Sequence, residues 1–168
     1  SSSVERNVDI LLECLSQNKS SATFFILGWI AERFPQLVKK IHNQGHEIAC
    51  HGYNHELVYS LSPENFRQDV ERTKNILEDN IGEKIFGYRA PNFSITDWAI
   101  DILIQLGFKY DSSLFLTFAH NRYGKLKDFQ IPDKPIFELK DGFYQVMLSY
   151  NNYAGIKVPW SGGFYFRF

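Results

Sequence analysis

His46-Glu47-Ile48-Ala49-Cys50-His51-Gly52-Tyr53-Asn54-His55 runs a short apolar segment straight into two histidines four residues apart. A buried strand that ends in a loop is where α/β proteins place their chemistry. Two neutral imidazoles at that spacing can approach one divalent ion from one side, and a third protein ligand with a water would complete an open catalytic site. Two structural histidines with no metal would give the same four-residue pattern, so the surrounding chain has to arbitrate. Cys50 could serve as a thiolate ligand, but alternation along a strand turns it to the face opposite His51, and a buried thiol is its ordinary role.

Outward from this stretch, helix and strand patterns alternate. Ser3 can cap a helix with apolar positions at Val4, Val8, Leu11, Leu12 and Leu15. Ala22 to Leu27 reads as a buried strand, and Pro35 opens a helix with Leu37, Val38 and Ile41 on its stripe and Gly45 as its stop. Ser62-Pro63-Glu64 is a strong helix start, followed by Phe66, Val70, Ile76 and Leu77 and closed by Gly82. Ile85 to Tyr88 is a third strand, Trp98 to Leu106 a further helix and Phe108 to Tyr110 a fourth strand. The rhythm predicts an α/β fold with a largely parallel sheet and helices outside it. From Leu114 to Pro135 the chain reads as one long loop. Ile136 to Leu139 and Phe143 to Tyr150 read as short strands, ahead of a glycine-rich aromatic end at residues 160–166.

Composition narrows the partners. The chain has 168 residues and a formal net charge of −1, so it carries no electrostatic footprint for nucleic acid, and none is expected as a partner. Its longest apolar runs are far shorter than the roughly 20 residues of a membrane span. Cys14 and Cys50, both in apolar periodic segments, are expected to be buried thiols rather than a disulfide framework.

Two more polar signals sit at predicted strand ends. Arg89-Ala90-Pro91-Asn92-Phe93 follows the third strand, where an arginine could hold a carboxylate bidentately or simply make a surface ion pair. Asp111 follows the fourth strand, and its plain alternative is to cap the next turn, as Ser112 could also do.

Taken together, residues 22–28 (Ala-Thr-Phe-Phe-Ile-Leu-Gly), residues 45–51, the His51/His55 pair and Arg89 to Phe93 resemble the polysaccharide deacetylases, the NodB-homology or fourth carbohydrate esterase family. The resemblance extends over Val4 to Phe115. Gly52-Tyr53, Arg122-Tyr123-Gly124 and residues 161–167 are similar to its exosortase-associated bacterial subgroup. It implies a distorted (β/α) barrel and a carbohydrate N-deacetylase, a hydrolase that removes acetyl groups from an N-acetylated glycan with a divalent metal, zinc foremost. His51 and His55 would be metal ligands, Arg89 the arginine orienting the catalytic carboxylate, and Tyr53, Pro91 and Phe93 groove residues. Asp111 is assigned to the catalytic rim and His120 is a candidate general acid, with a loop histidine as its alternative. The family's paired aspartates, which supply the base and the third metal ligand, have no counterpart in the sequence. The expectation is therefore one incomplete barrel domain over 1–168, truncated at the N-terminus and at the C-terminus, with a gap beside the strand Ala22 to Leu27 and no activity by itself. A small-amide amidohydrolase of the same fold and a non-catalytic carbohydrate-binding module remain open as alternatives.

Overall fold

The computed structural model describes residues 3–114, 124, 126–153 and 156–159, without side chains at 150–153 and 156–159. His120, Arg122, Tyr123 and the glycine-rich end at 160–168 lie outside the described residues. The chain divides into two compact units, Ser1–His55 with Gln68–Ile85, and Glu56–Arg67 with Phe86–Phe168.

The first unit is built on α1 (Ser3–Gln17), β1 (Thr23–Ile26), α2 (Gly28–Arg33), α3 (Pro35–Asn43) and β2 (Glu47–Cys50), with the C-terminal part of α4 (Pro63–Ile81). β1 and β2 pair in parallel, Phe24 opposite Ile48 and Ile26 opposite Cys50. Among the described residues β1 has no strand on its other edge. A cavity of about 780 Å³ lies between α1 and the N-terminal ends of these strands, lined in part by Asp9, Leu12, Lys40 and His46. The core of the unit is Leu12, Ala31, Val38, Ile41, Ile48, Ala49, Val70 and Leu77.

Two expectations change in this unit. Between β1 and the helix opened by Pro35 lies a helix that the sequence pattern did not signal, Gly28–Arg33, and Phe34 (φ −130°, ψ 55°) separates it from α3. Proline at the first position of α3 disfavours helical backbone in the residue before it, which forces the break. Cys14 is exposed rather than buried. At 100° per residue, two positions beyond the buried Leu12 is the far side of the helix, and Leu11 also stays 47% exposed.

α4 follows its sequence signals closely. The Ser62 hydroxyl accepts from the Asn65 N–H at 3.2 Å, Pro63 is the first helical residue, and Gly82 leaves the helix at φ +74°, a conformation that costs glycine least. Its buried stripe is Phe66, Val70, Thr73 and Leu77, so Thr73 takes the place expected for Ile76.

The second unit holds β3 (Gly87–Tyr88), α5 (Asp97–Gln105), β4 (Tyr110–Asp111), β5 (Ile136–Lys140) and β6 (Phe143–Val146), ordered β3-β4-β6-β5. β3, β4 and β6 are parallel, and β5 turns back antiparallel on β6. β7 (Tyr150–Tyr153) and β8 (Ile156–Pro159) form a separate antiparallel pair. Edge-to-face rings tie this core together: Phe66 meets Tyr88 at 5.8 Å and Trp98 at 5.4 Å, and Tyr88 meets Phe108 at 6.0 Å. Parallel strands with helical crossovers are what the alternating pattern predicts. The late antiparallel turn follows from a tight connection at Asp141-Gly142, both at positive φ.

Candidate functional site

His51 and His55 lie at the C-terminal end of β2, within the first unit. The β1–β2 ladder continues one step past the strand, His51 N–H donating to the Ile26 carbonyl at 3.1 Å, and this pins the first histidine. The chain then reverses through Gly52 (φ +72°) and reaches His55 in the left-handed region (φ +62°). That path brings the rings together, with centroids 5.1 Å apart and planes at 71°. His51 is half-buried and His55 exposed, so the paired rings stand at the surface of the first unit. Among the described residues no group of three His, Cys, Asp or Glu side chains gathers at metal-binding distance. Burial pushes the Cys50 thiol up to about 12, which keeps it protonated and leaves it the structural role.

Arg89 and Asp111 belong to the second unit. Arg89 Nε donates to the Ser112 carbonyl at 2.8 Å and Nη2 to Ser112 Oγ at 2.7 Å, while the guanidinium lies 5.9 Å from the Phe93 ring centroid. Desolvation lowers its pKa, and the neighbouring Asp111 works against that shift. Asp111 is fully buried. Its carboxylate accepts from the Ser113 N–H at 2.9 Å and from the Ser113 hydroxyl, whose turn it caps, and the Ser113 oxygen accepts from the Ala90 N–H at 2.7 Å. The turn after β4 is thereby sewn to the arginine motif after β3. Ser113, which carries both contacts, had no periodic or motif signal in the sequence.

Three expected placements are revised. Asp111 is not a rim acid open to substrate: zero exposure leaves it a role through its neighbours. Pro91, expected in a groove wall, is buried, because it starts a 3₁₀ turn stitched by the Ser94 hydroxyl to the Pro91 carbonyl at 2.6 Å. Only Phe93 of that pair is half-exposed, held at φ +56° after Asn92 at φ +48°. Tyr53, also expected in a groove, has its ring under Arg72 and its hydroxyl on Glu32. His120 lies outside the described residues.

Burial pushes the Asp111 carboxyl up to about 6, against the opposing pull of Ser113 and, more weakly, of Arg89; the Gln145 carboxamide across the β4–β6 register also holds it down, although it does not reach normal hydrogen-bond geometry. The sign of the resulting pH effect is the reverse of the usual carboxylate case. Between the ordinary value of about 3.9 and 6, folding takes up a proton, so stability falls as pH rises through that window, by roughly 3 kcal/mol in total, and is flat above it. Asp111→Asn, which keeps an acceptor for Ser113, is expected to flatten that fall. Urea unfolding of both proteins at pH 4, 5, 6 and 7.5 measures it, and parallel curves would show that the ionised carboxylate costs nothing.

Residues 3–110, more than half of the chain, match the family model for polysaccharide deacetylase. The chain belongs to the polysaccharide deacetylase family. It is 32% identical over 117 residues to a peptidoglycan-N-acetylglucosamine deacetylase of Bacillus cereus, an alignment covering 61% of this chain and 42% of that protein. Among solved structures, a Mycobacterium smegmatis protein assigned as a polysaccharide deacetylase superposes with a TM-score of 0.67 at 30% identity, over 83% of this chain and 44% of that one. A peptidoglycan N-acetylglucosamine deacetylase crystallised with an N-hydroxybenzamide superposes with a TM-score of 0.56 at 32% identity, over 58% and 45% of the two chains. This chain therefore spans less than half the length of each. The mixed α/β fold with parallel strands and flanking helices is that of this deacetylase family, and the barrel is partial.

Proposed function

We propose that the protein containing this chain is a zinc-dependent N-deacetylase of a glycan, with His51 and His55 as two of the metal ligands. The observation that carries the proposal is the juxtaposition of the two imidazoles, 5.1 Å apart at the C-terminal end of β2, in a chain of this family. Further support comes from the relative crystallised with an N-hydroxybenzamide, since hydroxamates chelate divalent metals. A divalent ion held by His51 and His55 would supply Lewis-acid chemistry, acidifying a water towards a pKa of about 7 and polarising the acetamide carbonyl. The protein's own residues do the rest. The histidines must stay neutral to offer their nitrogens, and Arg89, a partly desolvated cation, is suited to orient a carboxylate that removes a proton from the attacking water. No strand among the described residues covers the outer edge of β1, and that edge suits a strand carrying the family's aspartate pair, which would supply that base and a third ligand. Gly52-Tyr53 and residues 161–167 favour the exosortase-associated subgroup and hence a bacterial exopolysaccharide substrate.

Metal analysis of the full natural protein and acetate release from N-acetylglucosamine oligomers, peptidoglycan and a small acetamide test this. Zinc near one equivalent with release from the oligomers is the expected result. Release only from the small amide would favour an amidohydrolase, and glycan binding without release would favour a binding module.

A further inference from the structure

Tyr53, midway between the two histidines, is gripped from both neighbouring helices. Its backbone N–H donates to Asp69 of α4 at 3.0 Å and its carbonyl accepts from Trp29 N–H of α2 at 3.4 Å, while the Gly52 carbonyl accepts from Gly28 N–H at 2.9 Å. The side chain repeats the pattern. Its hydroxyl donates to Glu32 of α2 at 2.5 Å and accepts from Arg72 of α4 at 2.8 Å, Arg72 donates to Glu32 at 3.0 Å, and its guanidinium sits 3.7 Å from the ring centroid. The ring is also pressed against Gly28 so closely that a Cβ there would stand 2.5 Å from Tyr53 Cδ2. The Glu32 carboxyl is held below the usual carboxylate range by the Tyr53 hydroxyl and by Arg72, so it is a full anion when it accepts.

We propose that Asp69, Glu32 and Arg72 act through Tyr53 as a clasp that sets the spacing of His51 and His55, and are thus positioning residues of the metal-binding loop. The role rests on the metal reading of the histidine pair. The loop needs such a clasp because its shape is not one the backbone prefers. His55 sits at φ +62°, a region that strains a residue with a Cβ, and Gly52 supplies the other left-handed step. Both main-chain polar groups of Tyr53 are tied down, so the loop is held at its centre as well as at its start, where the His51 N–H donates to the Ile26 carbonyl.

Two measurements on the full natural protein test the clasp: affinity for Zn²⁺ by chelator competition, and amide hydrogen exchange across residues 51–55 in the metal-free protein. Asp69→Ala is expected to weaken zinc binding about tenfold, the scale of losing a partner that orients a ligand, and to speed exchange at Tyr53. Asp69→Asn, whose amide oxygen can still accept from Tyr53, is expected to restore most of both. Should Asp69→Ala not fold, Tyr53→Phe, which keeps the ring on Gly28 but loses the hydroxyl bonds, carries the test through the same readouts. Unchanged affinity and exchange in these variants would overturn the clasp. His51→Ala serves as the control on the metal reading: if it binds zinc as the parent does, that reading fails, while the exchange rates still judge whether the clasp holds the loop.

Discussion

His51→Ala in the full natural protein is expected to lower zinc affinity by well over 100-fold and to reduce acetate release by at least about 1,000-fold. The first figure exceeds the 10- to 100-fold typical of losing a partner that merely supports a ligand, because here a ligand itself goes. The second exceeds the 100- to 1,000-fold cost of removing one oxyanion donor. Stability should change far less, since His51 is only half-buried. At the second position Asn is the better replacement: His55 adopts φ +62°, which Asn tolerates, whereas alanine would add backbone strain to ligand loss. Isothermal titration with zinc, together with acetate release and thermal melts, reads all three effects. Full zinc stoichiometry and turnover in both variants would remove the pair from the mechanism.

Arg89→Ala is expected to reduce turnover about 100-fold, the cost of misplacing a reacting group by an ångström or so. The structure adds a stability cost that a rim arginine would not carry. Two hydrogen bonds from its guanidinium end on Ser112, whose side chain and carbonyl lie in a buried turn, and its charge is one of the influences that keep Asp111 ionisable. Losing them should cost about 3 kcal/mol, since hydrogen bonds from charged groups contribute about 1.5–3 kcal/mol each and part is recovered by water entering the space. Without the arginine the Asp111 carboxyl rises further, so the loss should be greater at pH 7.5 than at pH 4.5. Chemical unfolding at the two pH values, paired with kcat on N-acetylglucosamine oligomers, checks both halves. Equal destabilisation at both pH values would show that Asp111 does not sense Arg89, and unchanged kcat would take Arg89 out of catalysis.

What the amino-acid sequence determined by itself is everything that depends on neighbours a few residues away. The caps at Ser62-Pro63 and Gly82, the parallel strand Thr23–Ile26 and its mate Glu47–Cys50, and the histidine pair at a strand end all follow from local periodicity and turn chemistry. The family motifs are local strings too, and for that reason they were legible. Tertiary structure alone decided which polar groups are desolvated and what holds them. Asp111 looked like a rim acid because a strand end usually faces solvent; the register Tyr88↔Asp111 and Asp111↔Gln145 places it between two other strands instead. Tyr53 looked like a groove aromatic, yet Glu32 and Arg72, 21 and 19 residues away, claim its hydroxyl. The exposure of Cys14 turned on which side of α1 meets the strands. Burial and hydrogen bonding between distant residues are set by how the elements pack, and no short window of sequence contains that information.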